Sequence, residues 1–175
     1  MSRYMIQAYS AEDPDPVSVV SRLNSTLCQY TPVGKLVTLV YGVLDISEGE
    51  FVYVNAGHEC PFLYSAKDGV LSTLDTTGPA TGAWLDAECR AERVEFKPGD
   101  ILVLYTDHAT AARSGGEFLD TDGLEKIVSG CIKESVESLP DAIFARVESF
   151  AHGHLRDDVA TLVIKAVKGA TASLF

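Results

Sequence analysis

The sequence predicts an α+β fold, a layered sandwich of sheets and helices, on three observations. Short β-branched and aromatic runs succeed one another through the first two thirds of the chain, two stretches of helical spacing follow, and one apolar run, "VATLVI", returns near the end. Strands, then helices, then one strand back is the order of segregated α and β layers. At 175 residues the chain is long enough for one domain with its own core and too short for two comfortable ones. That domain is placed over residues 1–167, with "KGATASLF", residues 168–175, as a frayed tail.

"MSRYMIQAYS" reads as the tail of a helix, and "AEDPDP" interrupts it, because two prolines cannot continue a helical ladder. From Pro16 the apolar positions Val17, Val20, Leu23 and Leu27 recur at helical steps, which predicts a helix with one face on a sheet. "KLVTLVYGVLDI", from Lys35 to Ile46, is closed by the turn "SEGE" and answered by "FVYVNAG", a hairpin. "PFLYSA", "KDG" and "VLSTL" make a second hairpin, and "AECRAERVEF" alternates like a half-buried strand before the turn "KPGD". "DILVLYT" is a near-continuous apolar strand of the kind covered on both faces. Helices over Leu124–Ser135 and Pro140–Ala151 lead to the last strand in "RDDVATLVIKAV".

Charge and composition exclude several classes. A net charge of −11 repels nucleic acid and anionic membrane surfaces alike. Cys28, Cys60, Cys89 and Cys131 stand too far apart for a CxxC zinc site and read as free buried thiols of a cytoplasmic protein. No apolar run approaches the roughly 20 residues of a membrane span, and the first residues lack the form of a secretory signal. Neither GxSxG nor a cysteine beside a base is present, which argues against a covalent nucleophile. "TTGPATGAW", with Gly82, is a Gly/Pro loop suited to flank a cleft, not a phosphate loop.

Two places put an acid at the end of a buried strand: Asp107 after "ILVLYT", and Asp157 with Asp158 before "VATLVI". If those strands are antiparallel neighbours, the carboxylates meet at one end, where they repel unless a cation or proton intervenes. Oxygen-only ligands favour Mg²⁺ or Mn²⁺. The competing reading makes these acids solvated turn residues. A further alternative, a zinc hydrolase, draws on His152 and His154 with Asp157, and on His58 and His108. "NAGH" predicts a turn with positive φ at Gly57 and with Asn55 and His58 fixed on it.

Taken in order, "LVTLVYGVLDISEGEFVYVNAGHECPFLY", "GPATG", "KPGDILVLYTDHATAARSGGEFLDTDGLEKIV" and "RDDVATLVI" resemble the successive signatures of the SpoIIE/RsbU-like branch of metal-dependent protein serine/threonine phosphatases. The likeness runs from about Val17 to Lys165. It implies a four-layer αββα sandwich and two Mn²⁺ or Mg²⁺ ions held by aspartates at one end of the sheets. It also implies direct attack of water on a phosphoserine or phosphothreonine. The substrate it implies is a phosphorylated regulatory protein such as a small anti-sigma-factor antagonist. By matching position Asp107 and Asp157 become catalytic metal ligands with Asp158 beside them, while Asn55, Gly57, His58, Gly82 and His108 shape the site.

The departures carry expectations of their own. His108 and Ala112 stand where the family pattern has glycine and an acid, and Ala160 stands where many relatives have threonine. The opening Gly-Asp-x-x-Asp and Asp-x-x-Gly-His-Gly motifs do not precede "MSRYMIQAYS", and Gly99-Asp100 lies in a turn instead. An N-terminally incomplete phosphatase domain is therefore expected, with weak or absent metal binding and a bared sheet edge open to a homodimer. The competing function is a non-catalytic phosphatase-like module that binds a signalling partner.

Overall fold

A computed structural model describes residues 2–32, 34–155 and 157–167. The tail expected over residues 168–175 lies outside the described residues, as does Arg156 of "RDD". The described chain divides into two compact units, one of residues 2–60 and 75–97, the other of residues 61–74 and 98–167.

In the first unit, helices α1 (Ser2–Glu12) and α2 (Pro16–Tyr30) are separated by the predicted Pro/Asp break. Asp15 caps α2 by accepting from the Ser18 N–H at 2.8 Å, and Pro16 at the first turn needs no donor. The expected helical face is present, with Val20, Leu23 and Leu27 buried, and it is broader than the spacing suggested because Val19 and Asn24 are buried too. Strands β1 (Leu39–Asp45) and β2 (Glu50–Ala56) form the predicted hairpin, and β5 (Glu92–Glu95) lies on the other side of β2 in an all-antiparallel sheet. Val20 packs there with Val54 and Ala56, so α2 covers one face of that sheet.

Two strand starts are corrected. The run from Lys35 becomes strand only at Leu39, because Val37 is engaged in an isolated bridge with Thr81. "AECRA" is not strand, since Arg90 turns its N–H to the Thr77 carbonyl at 3.0 Å.

The second unit is a four-stranded antiparallel sheet in the order β4-β3-β6-β9, built from β3 (Phe62–Ser65), β4 (Val70–Thr73), β6 (Ile101–Tyr105) and β9 (Thr161–Lys165). As expected of a strand covered on both faces, β6 is buried at Ile101, Leu102, Val103 and Tyr105. Helices α3 (Asp120–Cys131) and α4 (Leu139–Phe150) contribute Leu124, Val128, Leu139, Ile143 and Val147 to a core with Phe62, Val103 and Tyr105. The helix expected from Leu124 starts earlier, where the Asp120 carboxylate accepts from the Gly123 N–H at 2.9 Å. A further hairpin, β7 (Arg113–Ser114) with β8 (Glu117–Phe118), turns on Gly115 and Gly116, whose positive φ values of 58° and 97° suit a two-residue loop.

The fold is therefore α+β with antiparallel sheets: among the described residues the first unit has one sheet and two helices, and the second has a four-stranded sheet, the small β7–β8 hairpin and two helices. The four cysteines are free, and only Cys131 is fully buried. No described helix is long and apolar enough to cross a membrane.

Candidate functional site

The register of β9 on β6 decides which side chains meet. Tyr105 at the end of β6 pairs with Thr161 at the start of β9. The ladder continues one step further, with Thr106 N–H donating to the Ala160 carbonyl at 3.1 Å and Ala160 N–H to Thr106 Oγ1 at 3.0 Å. The two chains then part, carrying Asp107 and Asp157 to the same end of the sheet. The antiparallel neighbourhood expected of "ILVLYT" and "VATLVI" is thus present.

His108 stands between the two acids. Its Nδ1 lies 3.0 Å from Asp107 Oδ1 and its Nε2 lies 3.3 Å from Asp157 Oδ2. A neutral imidazole donates to one of these carboxylates, and the doubly protonated ring donates to both. The side chains of Asp107 and Asp157 are 71% and 63% exposed, so water or a ligand reaches their remaining oxygens. Asp158 enters differently: its backbone N–H donates to Asp157 Oδ1 at 2.9 Å. The turn after Asp107 is fixed by Ala111 N–H and Thr110 Oγ1, both donating to the Asp107 carbonyl at 2.9 Å. Ala112 is buried in the core, so an acid there would be desolvated.

The remaining predicted residues lie in the first unit, around the end of β2. Asn55 is fully buried and its side-chain oxygen accepts from the His58 N–H at 2.9 Å. Its backbone N–H donates to Thr77 Oγ1 at 2.9 Å, and its carbonyl accepts from Thr77 and Gly78 at 2.9 and 3.1 Å. Gly57 has φ +66° as the sequence suggested, and a Cβ there would come within 2.7 Å of the Ala80 nitrogen. His58 Nδ1 pairs with Thr38 Oγ1 at 3.2 Å. Gly82 donates its N–H to Asn24 Oδ1 at 2.8 Å, while Asn24 Nδ2 donates to the Trp84 and Leu85 carbonyls at 3.0 and 3.3 Å. Asn24 was missed, because a polar residue inside an apolar helical repeat gives no sign of partners far along the chain.

The zinc grouping does not form. His152 Nε2 pairs with Ser114 Oγ at 3.0 Å, and among the described residues no three His, Cys, Asp or Glu side chains form a group able to hold a metal ion. Beside the acid pair is a cavity of about 250 Å³, lined by His108 and Asp157 together with Arg113, Phe118, His154 and Leu155. His154, which the spacing offered only as a zinc candidate, lines this cavity instead, and Arg113 was missed; the short "RSGGEF" hairpin that places Arg113 is the missed cue.

Comparison with known proteins places these features in context. Residues 1–167 match the family "Stage II sporulation protein E (SpoIIE)". The chain is similar to phosphoserine phosphatase RsbU of Bacillus subtilis (strain 168), 25% identical over 165 residues that are 94% of this chain and 49% of RsbU. It thus spans about half of RsbU's length. The crystal structure of RsbU and RsbW domains from a Mycobacterium tuberculosis protein superposes with a TM-score of 0.79 at 21% identity, covering 97% of this chain and 47% of that one. The catalytic domain of the serine threonine protein phosphatase PstP, crystallised with 2 manganese ions, gives a TM-score of 0.66 at 15% identity, covering 95% of this chain and 81% of that one.

Proposed function

Because the chain belongs to the SpoIIE family of protein serine/threonine phosphatases, we propose that it hydrolyses phosphoserine or phosphothreonine on a small phosphorylated regulatory protein. An anti-sigma-factor antagonist is the substrate class this reading favours, in the cytoplasm. Residues 1–167 are the phosphatase domain on this reading, and Asp107 and Asp157 are its working acids. The observation that carries it is the β6–β9 register, which delivers two exposed carboxylates to one sheet end.

The donors fit a hard divalent cation in part. Mg²⁺ and Mn²⁺ prefer oxygen, and Mg²⁺ commonly takes one or two carboxylates and fills its shell with water and phosphate oxygens. Asp107 and Asp157 supply such a pair for one ion, with Asp158 adjacent, and no closed set of three protein ligands exists among the described residues. When bound, Mn²⁺ or Mg²⁺ polarises the phosphoryl oxygens and acidifies water. The chain's own part is to hold the two acids in register at the β6–β9 end, with the His108 ring paired to both while no cation is bound. Within the first unit, Asn55, Gly57 and His58 fix the backbone after β2, and Gly82 is held by Asn24.

The test is Mn²⁺-stimulated phosphate release from a phosphoserine-bearing anti-sigma-factor antagonist. Release that Asp107→Ala and Asp157→Ala both abolish is expected; release that survives both substitutions overturns the assignment. A second reading is favoured by His108, whose ring fills the space between the carboxylates. In that reading the chain is a non-catalytic phosphatase-like module that binds a signalling partner. Tight Mn²⁺ binding lost on Asp107→Ala would exclude it. Pairing of two copies belongs at an edge strand, β1 or β9, and sedimentation velocity decides between monomer and dimer.

A further inference from the structure

The cavity beside the acid pair is lined by two hydrogen-bond donors, Arg113 and His154, to which the proposed function gives no role. Arg113 and Phe118 are directly opposite across the β7–β8 pair, and the guanidinium carbon sits 3.9 Å over the Phe118 ring centroid. Stacking of this kind holds the guanidinium plane and leaves its edge N–H groups free to donate. Among the described residues no carboxylate lies within 4.0 Å of the Arg113 side chain, in a chain whose net charge is −11. Ser114, next along β7, pairs with His152 at 3.0 Å and so ties the hairpin to the turn after α4. That turn is closed by His154 N–H donating to the Ala151 carbonyl at 2.9 Å, and His154 lines the same cavity as Arg113.

Such a lining is suited to an anion. A guanidinium offers a planar fork that matches two phosphate oxygens, and an imidazole adds a donor. With about 250 Å³ of space, against about 30 Å³ for a water in the liquid, the cavity has room for a phosphoryl group and the side chain that bears it. Asp157, which lines the same cavity, repels an anion unless a cation neutralises it, so anion and divalent cation should enter together.

We propose that this cavity is the seat of the substrate's phosphoryl group, with Arg113 as its bidentate donor and His154 as a second. The assignment rests on the phosphatase reading and specifies its substrate contact: a phosphomonoester dianion, recognised from the β7–β8 hairpin. Recognition of this kind needs the charge and the fork together, so lysine should replace arginine only in part.

The test follows the Arg113 Nε–H signal by NMR while inorganic phosphate, and separately a phosphoserine peptide, is titrated in with and without Mg²⁺. The signal is expected to move saturably, and more tightly when Mg²⁺ is present. Arg113→Ala should weaken binding by about tenfold or more, as expected for loss of a charge-assisted pair, and Arg113→Lys should fall between. Tighter binding of the peptide assigns the seat to a phosphoprotein, and equal affinity assigns it to the bare anion; both keep Arg113 as donor. An unchanged affinity in Arg113→Ala, or no movement of the Arg113 signal at phosphate saturation, overturns the proposal. Binding intact without phosphate release removes the phosphatase reading and leaves the seat. Release undiminished in Arg113→Ala removes the seat and leaves the reading.

Discussion

The corner after β2, "NAGH", and the corner after β6, "YTDH", share a form in sequence: a strand ends in a polar residue closely followed by a histidine. They are built in opposite ways. Asn55 is fully buried, with its side-chain oxygen on the His58 N–H and its backbone bonded on both sides to the Thr77–Gly78 segment. Asp107 is mostly exposed and its carboxylate meets only the His108 ring among the contacts described above. A side chain fully engaged by its own backbone has nothing left to offer a ligand, whereas an exposed carboxylate facing another does. The first corner is thus a brace and the second an opening.

That contrast can be broken first at the acids. Asp107→Ala or Asp157→Ala is expected to lower Mn²⁺ affinity on the order of 100-fold by calorimetry, since a carboxylate is half of the pair. Urea unfolding of the same variants should stay within about 0.5 kcal/mol of the parent, as for exposed sites. Unaltered Mn²⁺ affinity would make both corners braces.

Asn55→Ala should show the reverse signature. It removes the buried amide and leaves the half-buried His58 N–H without its acceptor, and should cost about 2 kcal/mol in urea unfolding. Mn²⁺ affinity, measured on the fraction that stays folded, should not change.

Smaller and opposite in sign is His108→Ala. The ring no longer has to leave the carboxylates, so Mn²⁺ affinity should rise by about threefold to tenfold, the worth of one or two modest hydrogen bonds. A fall instead would mark His108 as a ligand.

The least effect at neutral pH belongs to Tyr53. Burial, with Glu92 and Asp75 nearby, pushes its phenol up to about 12 from the ordinary 10.0. The fold therefore disfavours the phenolate: the stabilisation is complete below pH 10.0 and is lost as pH rises towards about 12. An alkaline melting series should show that decline, and Tyr53→Phe should lessen it.

Much of this arrangement was legible in the residues, and the failures have physical causes. The long apolar runs gave the hairpin β1–β2, the buried strand β6 and its partner β9, because burial on a sheet imposes composition over five or more residues. The hairpin β7–β8 was not legible, since two-residue strands are too short to show alternation, although Gly115-Gly116 is the turn they need. Asp107 and Asp157 could be paired from the strand argument and the resemblance together. The position of the His108 ring between them could not, because it depends on the path of both chains beyond the last ladder bond. Asn24 and Arg113 escaped for one reason: each draws its meaning from residues that sequence spacing cannot bring near.

The pairing of β6 with β9 also sets a schedule. The hairpins β1–β2 and β3–β4 close over short turns, whereas β9 reaches β6 only across two helices and the loops between them, a late step by the cost of long-range closure. On a ribosome, the chain up to α4 already holds Asp107, His108 and Arg113 and still lacks Asp157. Asp107 and Asp157 therefore come together only when β9 docks on β6, so the acid pair is assembled by the late step and not by either hairpin.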